Sequence, residues 1–256
     1  MKHEFSFIIQ ARSASTRLPG KILIPFYNDE TILDIQLKNI SKSFPSALVI
    51  IATSINKADD VIVAKYKDDK RVKIFRGDEN NVLKRFIDAA KQFEIEHIVR
   101  VCSDNPFLSM PHIKELIDFY FSEITDYASF RFMNGTPAIK SHSGLFAEVV
   151  SLKTLEKVQK QTQEQLFLEH VTNYVYTHPE QFKATFLPVP TILDAYIEKL
   201  RLTIDTQLDF GNLQKLYLAV LSKYNAGFTI EQLLTEVNAD KDLLLFMKEQ
   251  IKNYAK

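Results

Sequence analysis

Four short apolar runs divide the first 103 residues, and between them the apolar spacing turns helical. The runs are FSFII (5–9), ALVIIAT (47–53), RVKIF (71–75) and HIVRVCS (97–103). Each is too short for a buried helix and is rich in β-branched or aromatic residues, as buried strands are. Between them Ile32, Leu33, Leu37 and Ile40 form a helical stripe, as do Val82, Leu83, Phe86, Ala89, Ala90 and Phe93. A third stripe carries Ile113, Leu116, Ile117 and Tyr120, opened by Ser109 as a cap and Pro111 in the first turn. This β-α-β-α rhythm predicts an α/β fold: a mostly parallel central sheet with helices on both faces. In such sheets ligands collect beyond the carboxyl ends of the strands, so the loops after residues 9, 53, 75 and 103 are expected on one rim.

The second half is less regular. Strands are expected at 126–131 and 145–151, and helices at 152–162 and 164–177. KLRLTID (199–205) alternates, with Leu200, Leu202 and Ile204 on one side and Lys199, Arg201, Thr203 and Asp205 on the other, which predicts a strand. Thr206 and Asp209 have capping-box spacing ahead of Leu213, Leu216, Tyr217 and Val220. Two more helices are expected within 228–254. With no repeat or linker, the 256 residues read as one domain with those last helices as an appendage.

Thirty-two basic residues balance thirty-two acidic ones, which gives no support for a nucleic-acid coat or a polybasic membrane anchor. A single cysteine, Cys102, excludes an internal disulfide and a multi-cysteine zinc site. No apolar run approaches the roughly 20 residues of a membrane span, and no export signal opens the chain. A cytoplasmic protein that binds neither nucleic acid nor membrane is expected, and any strong positive charge has to be local.

One such place is QARSASTRLPGK, residues 10–21, directly after the first apolar run. It is not a Walker A loop, which would need glycine at position 15 and Ser or Thr at 22; Ser15 and Ile22 stand there. It nevertheless presents Arg12, Arg17 and Lys21 with the hydroxyls of Ser13, Ser15 and Thr16. Guanidinium forks bind phosphate oxygens bidentately and an ammonium acts as a point charge. Arg and Lys are ordinary in a solvated loop, but this loop lies on the rim where ligands gather, which favours phosphate.

VRVCSDNPF (99–107) places Asp104 just beyond another strand, with Pro106 ending it. That carboxylate could close a turn, or hold Mg²⁺, which takes one or two protein carboxylates together with phosphate oxygens and water. Asp205 is the natural second carboxylate. A cationic loop with two carboxylates is the usual set for phosphoryl transfer.

Five blocks, IIQARSASTRLPGK, RGDENNVLKRF, VRVCSDNPF, EHVTNYVYTHPEQF and RLTIDTQLDF, resemble successive motifs of cytidylyltransferases related to spore-coat polysaccharide biosynthesis proteins. CMP-sialate and CMP-Kdo synthetases are more distant members of that group. The resemblance runs in order from about residue 5 to 220. It implies a Rossmann-like nucleotide-diphospho-sugar transferase fold and Mg²⁺-dependent coupling of CTP to a sugar hydroxyl, with sugar acids as the substrate class and pyrophosphate released, for surface-glycan assembly.

The resemblance assigns Arg12, Arg17 and Lys21, with Ala11 and Ser13, to the nucleotide, and Asp104 and Asp205 to the metal. Arg12, Lys21, Asp104 and Asp205 would be the catalytic set. Arg76, Asp78 and Asn81 fall near the base or sugar, and Glu148, Glu169, His170 and Arg201 toward the acceptor. Relatives often pair through the segment around 130–180, which makes a homodimer an expectation. Two departures stand out: Ala14 where many relatives have glycine, and Ser103 and Asn105 around Asp104. Two rival readings are a glycosyltransferase of the same fold, which typically needs a D-x-D-like motif absent from SDNP, and a non-catalytic nucleotide-binding protein.

Overall fold

The computed structural model describes residues 4–254. The apolar runs become β1 (Ser6–Gln10), β4 (Leu48–Ser54), β5 (Lys73–Gly77) and β6 (His97–Cys102). A small hairpin, β2 (Pro25–Tyr27) with β3 (Glu30–Thr31), lies outside the main sheet. The later strands are β7 (Tyr127–Arg131), β8 (Glu148–Ser151) and β9 (Ala184–Pro188). The seven-stranded sheet has the order β5-β4-β1-β6-β8-β7-β9. β8 runs antiparallel to β6 and β7, and the other six share one direction.

Alternate side chains of the central strands enter two separate cores, as the two-residue period of a strand requires. Phe7, Ile9, Val49, Ile51, Val99 and Val101 join one cluster, and Ile8, Ile50, Ala52 and Ile98 join the other. The first is covered by α1 (Ile32–Ser43), α4 (Met110–Ser122), α8 (Gln207–Tyr224), α9 (Ile230–Ala239) and α10 (Lys241–Asn253). The second lies under α3 (Val82–Gln92), α5 (Leu152–Gln161), and the short α6 (Gln165–Glu169) and α7 (Asn173–Thr177). A further helix, α2 (Asp60–Tyr66), follows β4 and adds Ile62 and Tyr66 to the first cluster. Leu243 and Met247 of α10 are buried in that same cluster. Each such side chain contributes about 1.5–3 kcal/mol on burial, so the last helix is firmly seated.

Three expectations are corrected. Residues 199–205 form no strand. Arg201 and Thr203 are buried along with Leu200, Leu202 and Ile204, so residues 200–204 have no solvent face. It is an extended strap whose backbone donates from Leu202 N to His142 O (2.8 Å) and from Ile204 N to Asp104 O (3.1 Å). The helix expected over 164–177 is two short helices, interrupted at His170–Thr172 where the Thr172 hydroxyl turns inward to Glu148 (2.7 Å). Ser109 does precede α4, but its hydroxyl shares a hydrogen bond with His112 Nδ1 (2.7 Å) instead of capping the helix. Among the described residues no helix is long and apolar enough to cross a membrane.

Candidate active site

Because β1, β4, β5 and β6 are parallel, the loops that follow them share one rim of the sheet. The cationic loop leaves β1 at Ala11, which is buried and donates its N–H to Ala52 O (3.2 Å). Leu18 and Ile22 are buried anchors further along. The Ser13 carbonyl accepts from both Ser15 N (2.9 Å) and Gly20 N (2.8 Å), closing the loop on itself. Gly20 has a φ of +70° with open space where a Cβ would stand, so the demand for glycine here is conformational.

A buried carboxylate, Asp59, fixes the loop from beneath. Its Oδ1 accepts from Ser13 N (2.6 Å) and Ser13 Oγ (2.7 Å), and its Oδ2 from Ser54 N (3.1 Å) and Ser54 Oγ (2.5 Å). Burial pushes the Asp59 carboxyl up, but the bonds from Ser54 and Ser13 together outweigh it and hold the group below its ordinary value. Asp59 is not marked by any sequence motif; its signal is spacing from the end of β4 alone.

Lys21 occupies the centre of the rim. Its Nζ lies 3.1 Å from Asp104 Oδ2 and 3.5 Å from Asp205 Oδ1, and it donates to the carbonyl of Ile204. The two aspartates, 101 positions apart in the chain, therefore meet at one ammonium. Asp205 also receives Arg17 Nη2 at 3.1 Å and Arg201 Nη2 at 2.9 Å. Arg201 is wholly buried, pairs with Asp209 and contacts His142 Nδ1 (2.7 Å) through Nη1.

This cluster tests whether a divalent cation fits. Asp104, Asp205 and Ile204 O direct only oxygen at one positive charge, which is the donor chemistry of Mg²⁺ or Mn²⁺. Lys21, Arg17 and Arg201 balance Asp104, Asp205 and Asp209 in charge, so an arriving polyphosphate would need further positive charge. Among the described residues there is no group of three or more His, Cys, Asp or Glu suited to a metal. The residues fit a hard cation that takes most of its ligands from phosphate and water.

The other candidates divide. Arg12 Nη2 meets Glu169 Oε1 at 3.4 Å, so the loop and the end of α6 come together, with exposed His170 next to them. Arg76 donates from Nε to Ser54 O and from Nη2 to Asn56 O, both at 3.0 Å, and pairs with Asp60 (2.7 Å). Asp78 Oδ1 accepts from Asn80 N and Asn81 N at 2.8 Å each, and Asn81 caps α3 through Lys84 N. Gln165 of α6 reaches Asn80 O (3.1 Å), tying that loop to the second half of the chain.

Glu148 lies inside the protein and does not reach the rim. Its carboxylate pairs with Arg100 and accepts from Tyr127 OH (2.6 Å) and Thr172 Oγ1 (2.7 Å). Burial and the Glu148 charge push the Tyr127 phenol well above its ordinary value, so Tyr127 remains a donor. Arg100 continues to Gln10 Oε1 (3.1 Å), linking this network to the end of β1. Arg201, expected on a polar face, is likewise interior and acts through Asp205 and Asp209. Sequence reading also passed over Arg85 in α3. It is fully buried and donates Nη1 to Asp78 O (2.9 Å), while Nε and Nη2 have no protein partner.

Residues 6–243 match the family model described as cytidylyltransferase. The chain is 31% identical over 245 residues to the spore coat polysaccharide biosynthesis protein SpsF of Bacillus subtilis, covering 94% of this chain and 96% of that one. A cytidylyltransferase from Leptospira borgpetersenii shares 28% identity with a TM-score of 0.80, covering 94% of this chain and 96% of the other. The fold is also that of a CMP:2-keto-3-deoxy-manno-octonic acid synthetase solved with CTP, at TM-score 0.61 and 12% identity, covering 85% of this chain and 99% of that one. Over nearly its whole length, then, this chain belongs to the cytidylyltransferase family and is a CTP-using nucleotidyltransferase.

Proposed function

We propose that the protein is a Mg²⁺-dependent cytidylyltransferase that joins CMP to a sugar, with sugar acids as the substrate class, for polysaccharide or glycan biosynthesis. The observation that carries this reading is the meeting of Asp104 and Asp205 at Lys21, on the rim that also bears Arg12 and Arg17. In the reaction a sugar hydroxyl oxygen bonds to the α-phosphorus of CTP and gives up its proton to solvent. The bond from that phosphorus to the bridging oxygen breaks, and pyrophosphate leaves.

Arg12 and Arg17 bind and orient the triphosphate through charge-assisted hydrogen bonds. Lys21, largely buried beside the acids, neutralises charge on the departing pyrophosphate. Asp104 and Asp205 would hold the metal, which when bound would screen the nucleophile from the phosphate charge and polarise the α-phosphoryl group. Arg201 and Asp209 keep Asp205 in place from inside the fold. Arg76, Asp78 and Asn81 border the nucleoside, and Glu169 and His170 border the acceptor.

The test is pyrophosphate release from CTP, UTP, ATP and GTP with a panel of sugar acids and neutral sugars, with and without Mg²⁺. Release with CTP, a sugar acid and Mg²⁺ is expected. Absence of thermal stabilisation by every nucleotide, with no release in any combination, would overturn the reading.

A further inference from the structure

The last described residue, Tyr254, comes back to the cationic loop from the far end of the chain. Its ring centre lies 4.8 Å from Cζ of Arg17 and 5.7 Å from Cζ of Arg201. The helix that delivers it is anchored, since Leu243 and Met247 are buried in the main core. The Tyr254 N–H then ends α10 by donating to Gln250 O (3.0 Å). The ring is half-buried.

The two guanidiniums differ in how much help they need. Arg201 is enclosed and gripped by Asp209. Arg17 has 46% of its side chain exposed and pairs with Asp205 at 3.1 Å. A long exposed arginine loses rotamer freedom when held in one pose, and an aromatic face offsets part of that loss by attracting the cation. Tyr254 stands where it can do this, within reach of both Arg17 and the fixed Arg201.

We propose that Tyr254 is a positioning residue of the nucleotide site: its ring holds the Arg17 guanidinium beside Asp205, ready for phosphate. The C-terminal helices are thereby a working part of the site. The nucleotide role rests on the assignment of Arg17 to the triphosphate made above.

The experiment compares wild type, Y254F, Y254A, R17A and R17A/Y254A. Dissociation constants for CTP with Mg²⁺ are measured by calorimetry, and the Arg17 Nε–Hε resonance is followed by NMR in the nucleotide-free protein. Phe keeps the ring, so Y254F is expected to match wild type in both readouts. Y254A is expected to weaken CTP binding about two- to five-fold and to displace the Arg17 resonance. The double variant is expected to bind no worse than R17A, because the tyrosine acts through that arginine.

Unchanged CTP affinity in Y254A, additive losses in the double variant, or a Y254F as weak as Y254A would each overturn the proposal. Wild type that binds no nucleotide would instead overturn the function proposed above, and the resonance would still decide whether Tyr254 holds Arg17. Melting curves guard against misfolding, because Y254F and Y254A disturb the same helix end and only one removes the ring.

Discussion

Arg201 and Asp209 meet as a two-point pair inside the protein. Nε donates to Oδ1 and Nη2 to Oδ2, each at 2.9 Å, with neither side chain more than 1% exposed. The same Asp209 Oδ2 accepts the backbone N–H groups of Asp205 (3.0 Å) and Thr206 (2.9 Å). One carboxylate thus caps α8, satisfies an interior guanidinium and sets the backbone that carries Asp205.

Asp209→Asn is expected to destabilise the protein by about 3–5 kcal/mol, since it leaves Arg201 as a buried charge without its main partner. Urea unfolding with an unchanged slope would measure it. A loss below about 1 kcal/mol would show that Asp205 alone can balance Arg201.

Asp104→Asn and Asp205→Asn are each expected to lower turnover on the order of 100-fold or more, with Mn²⁺ binding in the presence of CTP weakened in parallel. Mn²⁺ titration followed by electron paramagnetic resonance reads the second effect apart from the first. Full turnover in either variant would remove that aspartate from the metal site.

Asp59 gives a pH signature. Its folded-state value lies below the ordinary carboxyl value of 3.8, so its stabilisation is complete above that pH and is lost as pH falls below it. The gap in melting temperature between wild type and Asp59→Asn is expected to be steady from neutral pH down to about 4 and to narrow below that. Asp34, whose burial is outweighed by bonds from Lys65, Thr31 and Tyr66, is also held low and adds to the acid sensitivity of wild type. A gap that widened in acid would contradict the assignment.

Arg85→Met is expected to raise the melting temperature by about 2–4 °C, because an apolar side chain of similar length replaces a buried cation with two unpartnered nitrogens. Burial, and then the nearby charge of Arg12, hold the Arg85 guanidinium below its ordinary value, which marks the charge as unfavourable where it stands. Weaker CTP binding in a more stable variant would show that the cost is retained for the site.

Three strands of the binding rim, β1, β4 and β6, were legible because nearly all their residues are buried and so appear as dense apolar runs, while the edge strand β5, with only Phe75 buried, left a weaker trace. β9 was not legible, since most of Ala184–Pro188 is only half-buried and carries no such run. The segment 199–205 misled for a related reason. Its polar positions mimic the outer face of a strand, yet Arg201 is internal because Asp209, eight positions later, neutralises it. The rim cations and both aspartates could be read from residue type and place. Asp59, Arg85 and Tyr254 could not, because their relation to the rim exists only after the loop, α3 and α10 have folded toward it.

The strap at 199–205 has a mechanical consequence. Asp104 follows a sheet strand by two residues, while Asp205 rides on a segment that belongs to no strand, its backbone bonded at Leu202 to His142 and at Ile204 to Asp104 and its side chains tied through Arg201 and Asp209. Lifting that segment would part the two acids while leaving every rung of the sheet intact. A local opening of that strap would therefore disarm this centre, and amide exchange at those two nitrogens would time it.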